Sequence, residues 1–299
     1  MMNMSADFKT VLSEVGSAMN AELDRLLPVV AGPENRVVDA MRYAALDGGK
    51  RLRPFLVCAS ADLFNVPRAR ALRAAAAIEM VHCYSLVHDD LPAMDDDDLR
   101  RGRPTVHKKF DEATAILAGD ALLTEAFTVL ADEATHPDGA VRANLVADLA
   151  EASGAKGIVG GQMIDLMAIG LNLDQAGLTR LQNMKTGCLI AGACRLGAIL
   201  GGAGATDRDA LGAYGIAMGL AFQIADDVLD VESSADVTGK ATGKDAAAGK
   251  ATFVSRLGLE GAKVYARELA ETAARHLLPF GERASVLRQA AFFAVERRS

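Results

Sequence analysis

The absence of proline from residues 138–278 limits the fold class of this 299-residue chain more than any other feature of the sequence. Proline cannot continue an α-helix, so a chain that avoids it over this distance can form long unbroken helices. Helix-forming residues dominate the long segments, aromatic residues make up only 5%, and tryptophan is absent. We therefore predict an all-α fold with breaks near the prolines: Pro28, Pro33, Pro54, Pro67, Pro92, Pro104, Pro137 and Pro279.

Two predicted segments, 69–87 and 211–231, carry few charges on any face, so each is expected in the middle of a helical bundle. No linker is long or polar enough to divide the chain, although residues 233–250 form a loop with glycine and lysine. Residues 1–299 are therefore predicted to form a single domain. The predicted helices span about residues 6–31, 34–46, 52–64, 68–91, 110–133, 139–153, 155–170, 174–202, 207–232, 260–277 and 282–297.

Charge and hydropathy exclude several broad classes of protein. A net charge of −7 and a pI near 5.3 do not suit a general nucleic-acid binder. The N-terminal residues lack the order of a signal peptide, and no window has the roughly 18 uncharged apolar residues of a membrane span. The cysteines lie in apolar stretches without CxxC pairing and are predicted to be reduced core residues of a cytoplasmic protein: Cys58, Cys83, Cys188 and Cys194.

Two aspartate clusters occur at the ends of apolar helical segments. The first places six carboxylates within residues 89–98, where Pro92 should end the helix. In the second, Asp226 and Asp230 share one helical face at positions i and i+4. A single cluster is typical of a solvated helix end, but two clusters beside uncharged helices need a cation, because unpaired buried carboxylates are costly. Mg²⁺ shared with substrate phosphates meets this need.

Two arginine-rich turns complement the acidic clusters. Residues 48–54 read Gly-Gly-Lys-Arg-Leu-Arg-Pro, and residues 100–104 read Arg-Arg-Gly-Arg-Pro. In an acidic protein, flexible turns with arginine predict a diphosphate ligand, since arginine binds phosphate oxygens through paired hydrogen bonds. Residues 239–245 lack the spacing and the preceding strand of a nucleotide-binding loop, so they are interpreted as a surface loop or as a loop that closes over phosphates.

Isolated polar residues in apolar helical segments are candidates for the lining of a reaction cavity. Lys185 and Thr186 interrupt one such segment, and Gln223 lies one helical turn before the second aspartate cluster. Each alone is typical of a satisfied core hydrogen bond. A lone histidine such as His82 is also typical of a protein core. It becomes a candidate site residue only because the other motifs are present.

Together these motifs resemble those of the trans-prenyltransferases, the head-to-tail isoprenyl diphosphate synthases. They occur in family order from about residue 40 to 255, and the helical pattern covers the whole chain. The matching motifs are residues 48–54, Asp89-Asp90-xxxx-Asp95 with Arg100-Arg101-Gly102, Gly160-Gly161-Gln162-Met163-Ile164-Asp165, Lys185-Thr186-Gly187, and Gln223-xx-Asp226-Asp227-xx-Asp230.

The resemblance implies an isoprenoid-synthase-type helical bundle around a deep central cavity, usually in a homodimer. It implies about three Mg²⁺ ions per active site, with Mn²⁺ as an alternative. The implied metal ligands are Asp89, Asp95 and Asp226, with Asp90 and Asp230 in support.

The same resemblance assigns the substrate contacts. The Lys185 carbonyl, Thr186 hydroxyl and Gln223 amide are expected to steady an allylic carbocation by their dipoles. Contacts with the allylic diphosphate are implied for Arg100, Lys185 and Lys240, and contacts with isopentenyl diphosphate for Lys50, Arg53, His82 and Arg101. The residues implied in the reaction itself are Asp89, Asp95, Arg100, Lys185, Thr186, Gln223, Asp226 and Lys240.

Product length is expected to depend on Tyr84, five residues before Asp89, and on the adjacent Ser85. An aromatic residue there resembles the cavity floor of bacterial farnesyl diphosphate synthases, which extend dimethylallyl and geranyl diphosphate to (2E,6E)-farnesyl diphosphate. On an ideal helix Tyr84 lies about 7.5 Å below Asp89, although beside the aspartate stripe and not directly under it.

Several other functions are weighed against this one. A geranylgeranyl or geranyl diphosphate synthase would share every motif. A class I terpene cyclase does not need the second diphosphate pocket around Lys50, Arg53 and Arg101. A metal-dependent phosphohydrolase would need further histidines. A non-catalytic prenyltransferase subunit typically lacks an aspartate cluster, whereas this chain has both.

Overall fold

The computed structural model describes residues 7–46, 48–168, 171, 173–236 and 252–296, and almost all of their regular structure is helical. This confirms the predicted all-α fold. The helices are α1 (Phe8–Leu26), α2 (Asn35–Ala45), α3 (Leu52–Asp62), α4 (Arg68–Asp89), α5 (Val106–Lys109), α6 (Glu112–Ala131), α7 (Gly139–Ser153), α8 (Ile158–Met167), α9 (Gln175–Gln182), α10 (Cys188–Leu200), α11 (Ala205–Asp236), α12 (Phe253–His276) and α13 (Ser285–Glu296).

Four shorter elements complete the described fold. A π-helical turn, Asn183–Gly187, joins α9 to α10, and a 3₁₀ segment, Leu278–Ala284, precedes α13. Strands β1 (Leu99–Arg100) and β2 (Arg103–Pro104) form an antiparallel hairpin in which Leu99 pairs with Pro104. This hairpin and α5 lie outside the predicted helices.

The helix boundaries differ clearly from the prediction at three places. The first helix was predicted to span 6–31, but α1 ends at Leu26, before Pro28. The predicted helix 174–202 is interrupted by the π-helical turn at its polar residues. Helix α12 has a first turn from Phe253 that lies outside the predicted range, and Thr252 and Ser255 cap it with a capping box. The backbone leaves helical geometry at Gly258 (φ 71°, ψ 165°), so the continuous part of α12 begins close to the predicted residue 260. The Thr252 hydroxyl accepts a hydrogen bond from the Ser255 amide, and the Ser255 hydroxyl accepts one from the Thr252 amide.

Helices α3, α4, α10 and α11 form the centre of the bundle, with buried side chains along most of α4 and α10. Small residues bring these helices close together. A Cβ atom at Gly197 would lie 2.6 Å from the backbone of α3, and one at Gly215 would lie 2.5 Å from the Cα atom of Ala191 on α10. The two apolar segments predicted to be buried, in α4 and α11, are the ones that lead to the aspartate clusters.

Helix α6 is the one described helix that meets the length and hydropathy of a membrane span. It packs against α4, and its inward side chains, including Ala115, Ala118 and Leu122, belong to the core. Ile116 and Leu117 on its outer side are 45% and 58% exposed. Helix α6 is therefore apolar on two faces, one packed in the core and one exposed.

Candidate active site

The first aspartate cluster begins at Asp89, the last residue of α4, and continues into a tight turn. The Asp95 amide donates a 2.8 Å hydrogen bond to the Asp89 carbonyl, which brings the two residues together. Burial raises the pKa of the Asp89 carboxyl to about 6; Lys185 and Arg100 oppose this rise, and the Asp95 and Asp90 carboxylates add to it. A nearby cation would therefore stabilise the Asp89 carboxylate.

Asp90 is buried and holds Arg100 beside this cluster. Its Oδ1 atom accepts hydrogen bonds from Nε and a terminal nitrogen of Arg100, at 2.7 and 2.6 Å. Arg100 lies in β1, whose turn to β2 contains Arg101 and Gly102 with φ of 53° and 78°. Two positive φ values in a two-residue hairpin loop favour a sharp turn that presents both arginines.

Asp227 of the second aspartate cluster reaches the same region from α11. A cavity of about 200 Å³ is lined by Asp95 from the first cluster, Gln223 and Asp227 from α11, and Asp165 and Lys185 between them. Asp227 is buried, and its Oδ2 atom accepts a 3.1 Å hydrogen bond from the amide of Phe253. This bond attaches the start of α12 to α11 at the edge of the cavity.

The π-helical turn brings Lys185 and Thr186 to this cavity. Thr186 Oγ1 donates a 3.4 Å hydrogen bond to Gln223 Oε1, and Lys185 Nζ donates a 2.6 Å bond to Asp165 Oδ2. Insertions of this kind in helices are frequent at functional sites. Here the insertion lies at Lys185 and Thr186, the polar residues that interrupt this apolar segment.

Helix α8 fits closely against the π-helical turn because residue 161 is glycine. A Cβ atom at Gly161 would lie 2.2 Å from the backbone nitrogen of Lys185. Asp165, one turn further along α8, then reaches the Lys185 ammonium group. Two residues of α8 therefore position Lys185: Gly161 allows its backbone to approach, and Asp165 binds its ammonium group.

A basic pocket lies where the two arginine-rich turns meet. Arg101 donates a 3.0 Å hydrogen bond to the carbonyl of Gly48, and a side chain at Gly49 would lie 2.6 Å from the Arg101 guanidinium. Burial lowers the pKa of Arg53, and burial with the nearby arginines lowers the pKa of His82 well below its usual value. Arg53 Nε and His82 Nδ1 are buried without a hydrogen-bond partner among the described residues. A bound anion would satisfy such a cationic pocket.

Arg51, at the base of this pocket, is buried and has a φ of 47°. Its guanidinium donates to Glu79 Oε1, Asn20 Oδ1 and the Ala45 carbonyl, each at 2.7 Å. The ion pair attaches the first basic turn to α4, the helix that also carries His82.

A second cavity, of about 250 Å³, begins at Asp89 and has a mostly apolar wall. Tyr84, Ser85 and His88 line it from α4, and Val159 and Met163 line it from α8. Tyr84 and Ser85 are both buried, and the Ser85 hydroxyl donates a 2.9 Å bond to the His82 carbonyl. The two proposed length residues thus lie in the wall of a cavity adjacent to the aspartates.

Most of the predicted site residues in the described ranges border these cavities or the basic pocket. Lys240 lies outside the described residues. Asp226 is half-buried and Asp230 is exposed on α11, and Lys50 is exposed in the first basic turn. Four residues that line the cavities have no role assigned from the sequence: His88, Gln162, Asp165 and Asp227. A polar residue within an apolar segment is the signal that could have identified Asp165.

The donor set fits a hard cation, since the clusters offer carboxylate oxygens and the pKa of Asp89 is raised. Among the described residues, no three His, Cys, Asp or Glu side chains are grouped closely enough to enclose a metal ion. Mg²⁺ typically takes one or two carboxylates, with waters and substrate phosphates as its other ligands.

Comparisons with known proteins agree with this geometry. The polyprenyl synthetase family model matches residues 34–277. Farnesyl diphosphate synthase of Escherichia coli is 44% identical over 97% of this chain and 99% of its own. Geranylgeranyl pyrophosphate synthase 11 of Arabidopsis thaliana is 44% identical over 93% of this chain and 78% of its own.

A solved structure from Zymomonas mobilis, described as an FPP/GFPP synthase, is 48% identical. It superposes with a TM-score of 0.88 and covers 96% of this chain and 98% of its own. Family members use a divalent metal ion and elongate prenyl chains. With the opposed aspartates, the basic pocket and the apolar cavity, these matches show that the chain belongs to the polyprenyl synthetase family and is a prenyltransferase.

Proposed function

We propose that this prenyltransferase joins isopentenyl diphosphate to dimethylallyl diphosphate and then to geranyl diphosphate, and releases (2E,6E)-farnesyl diphosphate. The observation that carries the product length is the apolar cavity that begins at Asp89 and has Tyr84 and Ser85 in its wall. A prenyl chain that grows from a diphosphate held near Asp89 would enter this cavity and stop where Tyr84 blocks it.

The two diphosphates are expected in different pockets. The allylic diphosphate would lie between the aspartate clusters, where Arg100 is held by Asp90 and Lys185 by Asp165. Isopentenyl diphosphate would lie against the basic pocket, formed by Lys50, Arg53, His82 and Arg101. The unpartnered buried nitrogens of Arg53 and His82 support this assignment, because a diphosphate would supply their acceptors.

The reaction begins when the allylic carbon–oxygen bond breaks and its electron pair leaves with the diphosphate. The Lys185 carbonyl, the Thr186 hydroxyl and Gln223 would then steady the allylic cation by their dipoles. The double bond of isopentenyl diphosphate attacks this cation, a carbon–carbon bond forms, and a proton passes to the retained diphosphate. The apolar cavity wall keeps water away from the cation.

We assign Mg²⁺ to Asp89, Asp95 and Asp226, with Asp90 and Asp230 in support. When bound, the ions would neutralise the charge that develops on the departing diphosphate. Asp90 gives part of its support through Arg100, since its carboxylate holds that guanidinium at 2.6 Å.

We also propose that the enzyme is a cytoplasmic homodimer. Val159 and Met163 line the apolar cavity yet are 51% and 52% exposed, so the cavity is open on the side of α8. Ile116 and Leu117 add exposed apolar surface on α6. A second copy that covers the α8 side chains would close the cavity to water, and exposed apolar surface of more than a single side chain is typical of interaction sites.

The test is a product assay with Mg²⁺, labelled isopentenyl diphosphate and, in separate reactions, allylic diphosphates of five, ten or fifteen carbons. We expect elongation of the five- and ten-carbon substrates and not of the fifteen-carbon substrate. Elongation of the fifteen-carbon substrate would favour a geranylgeranyl diphosphate synthase, and arrest at ten carbons a geranyl diphosphate synthase. A protein that elongates none of them would fit a non-catalytic subunit instead.

A further inference from the structure

His88 occupies the wall of the apolar cavity between Asp89 and Tyr84. It lies four residues after Tyr84 on the same face of α4, so it is about 6 Å nearer to the aspartates along the helix axis. The two rings meet edge to face, with 5.7 Å between their centroids. The His88 side chain is 25% exposed, so it is neither a core residue nor a fully solvated one.

Helix α6 holds the His88 ring at the edge of the cavity. His88 Nε2 donates a 3.0 Å hydrogen bond to the carbonyl of Ile116, which lies within α6. One turn further along, a Cβ atom at Gly119 would lie 2.1 Å from Nε2 and 2.5 Å from Cδ2 of the same ring. The ring therefore fits against α6 only because residue 119 has no side chain.

The backbone gives no other reason for glycine at this position. Gly119 is buried inside a regular helix and is not among the described glycines with positive φ. Glycine in a helix interior is less stable than alanine by about 1 kcal/mol. Glycine at position 119 therefore lowers the stability of α6. What it provides in return is the space that the His88 ring occupies.

From this geometry we propose that Gly119 and His88 form a second product-length determinant, one helical turn above Tyr84. The inference rests on the proposed elongation of prenyl chains in this cavity. Gly119 accepts the His88 ring on the side of α6, and the ring so placed leaves the upper cavity wide enough for the second condensation.

Alanine at position 119 would force the ring to move, because the nearest ring atom must retreat from 2.1 Å to an ordinary contact near 3.4 Å. Helix α6 cannot retreat easily, since Ala115, Ala118 and Leu122 are packed in the core. The ring borders the open cavity on its other side, so it would turn inwards. A ring displaced inwards meets the growing chain about one helical turn before Tyr84 does.

The experiment compares product lengths of the wild type, Gly119→Ala, His88→Ala and the double variant, with dimethylallyl or geranyl diphosphate as the allylic substrate. For Gly119→Ala we expect elongation of geranyl diphosphate to fall at least about tenfold relative to elongation of dimethylallyl diphosphate. Ten-carbon product should then accumulate. Gly16→Ala in α1 is the control, because its added Cβ atom would meet its nearest neighbour at 3.9 Å.

The double variant separates a length determinant from a purely structural effect. Removing the displaced ring should restore fifteen-carbon or longer product in the Gly119→Ala background, and His88→Ala alone should not shorten the product. Unshortened product from Gly119→Ala would overturn the inference, as would loss of all elongation in that variant or failure of the double variant to recover. Failure of the wild type to elongate either substrate would instead refute the proposed function.

Discussion

Asp89 belongs both to the fold, as the last residue of a buried helix, and to the candidate active site. It ends a buried helix, and the carboxylates of Asp90 and Asp95 lie close to it. Burial is the main reason that its pKa is raised to about 6. The residue is therefore suited to a cation that arrives with the substrate.

In metal-free protein we expect Asp89 to titrate near pH 6, against about 4 in an unfolded chain. Because the folded pKa is the higher one, the contribution of this carboxyl to stability is fully present below pH 4. It is lost as the pH rises through 6. Carboxyl-labelled NMR without metal measures the titration, and Mg²⁺ with diphosphate should move it to lower pH. A midpoint near 4 in metal-free protein would contradict the buried environment.

The second cluster is tested by Asp226→Ala. We expect turnover to fall by at least about a hundredfold, because charge stabilisation of the leaving diphosphate is lost, while the helical circular dichroism spectrum is retained. Asp209→Ala is a matched control on the same helix, about 25 Å away along its axis, and should retain activity. Near-wild-type turnover of Asp226→Ala would exclude this residue as a metal ligand.

Tyr84→Ala tests the floor of the cavity. We expect the main product to lengthen towards twenty carbons, because the ring no longer blocks the chain, as chromatography of the dephosphorylated products would measure. Phe64→Ala, near the opposite end of α4, removes a partly buried ring elsewhere and should leave the product unchanged. If both variants yield only farnesyl diphosphate, another residue forms the floor.

At the scale of elements, the basic turn depends on its buried connection to α4. Arg51 and Glu79 have side chains that are 2% and 3% exposed, and their charged atoms are 2.7 Å apart. Removal of one partner leaves the other charge buried without compensation.

We therefore expect Arg51→Met or Glu79→Leu alone to lower the free energy of unfolding by about 3–5 kcal/mol. The double variant should lose less than the sum of the two. Urea denaturation of the four proteins measures the coupling. Additive losses would mean that the ion pair is not the connection between the turn and α4.

At the scale of the whole molecule, exposed apolar surface on α6 and α8 supports the proposed dimer. We expect Leu117→Glu to shift the mass in sedimentation from twice 31.3 kDa towards 31.3 kDa, because a charge is placed in the apolar contact. Val264→Glu is a matched control, since Val264 on α12 is also 58% exposed. A dimer that survives Leu117→Glu would exclude the outer face of α6 as the interface.

Much of the fold could be predicted because it depends on local signals. The proline-free stretch and the uncharged segments in α4 and α11 predicted long buried helices, and the structure confirms both. The continuous part of α12 follows the break at Gly258, close to the predicted start at residue 260. The turn before that break was not predicted, because Ser255 completes its capping box in place of the more familiar glutamate. The π-helical turn was not predicted, since its residues are compatible with an ordinary helix.

The sequence by itself determined the residue types of the site. Clusters of carboxylates and arginines at a fixed spacing indicate metal and diphosphate binding whatever the distant parts of the chain do. Tertiary structure alone decided which of them meet. Asp165 holds Lys185, Asp90 holds Arg100, and Gly119 receives His88, across separations of 20, 10 and 31 residues. Such pairs depend on how helices pack side by side, and packing is a property of the assembled bundle that no local pattern contains.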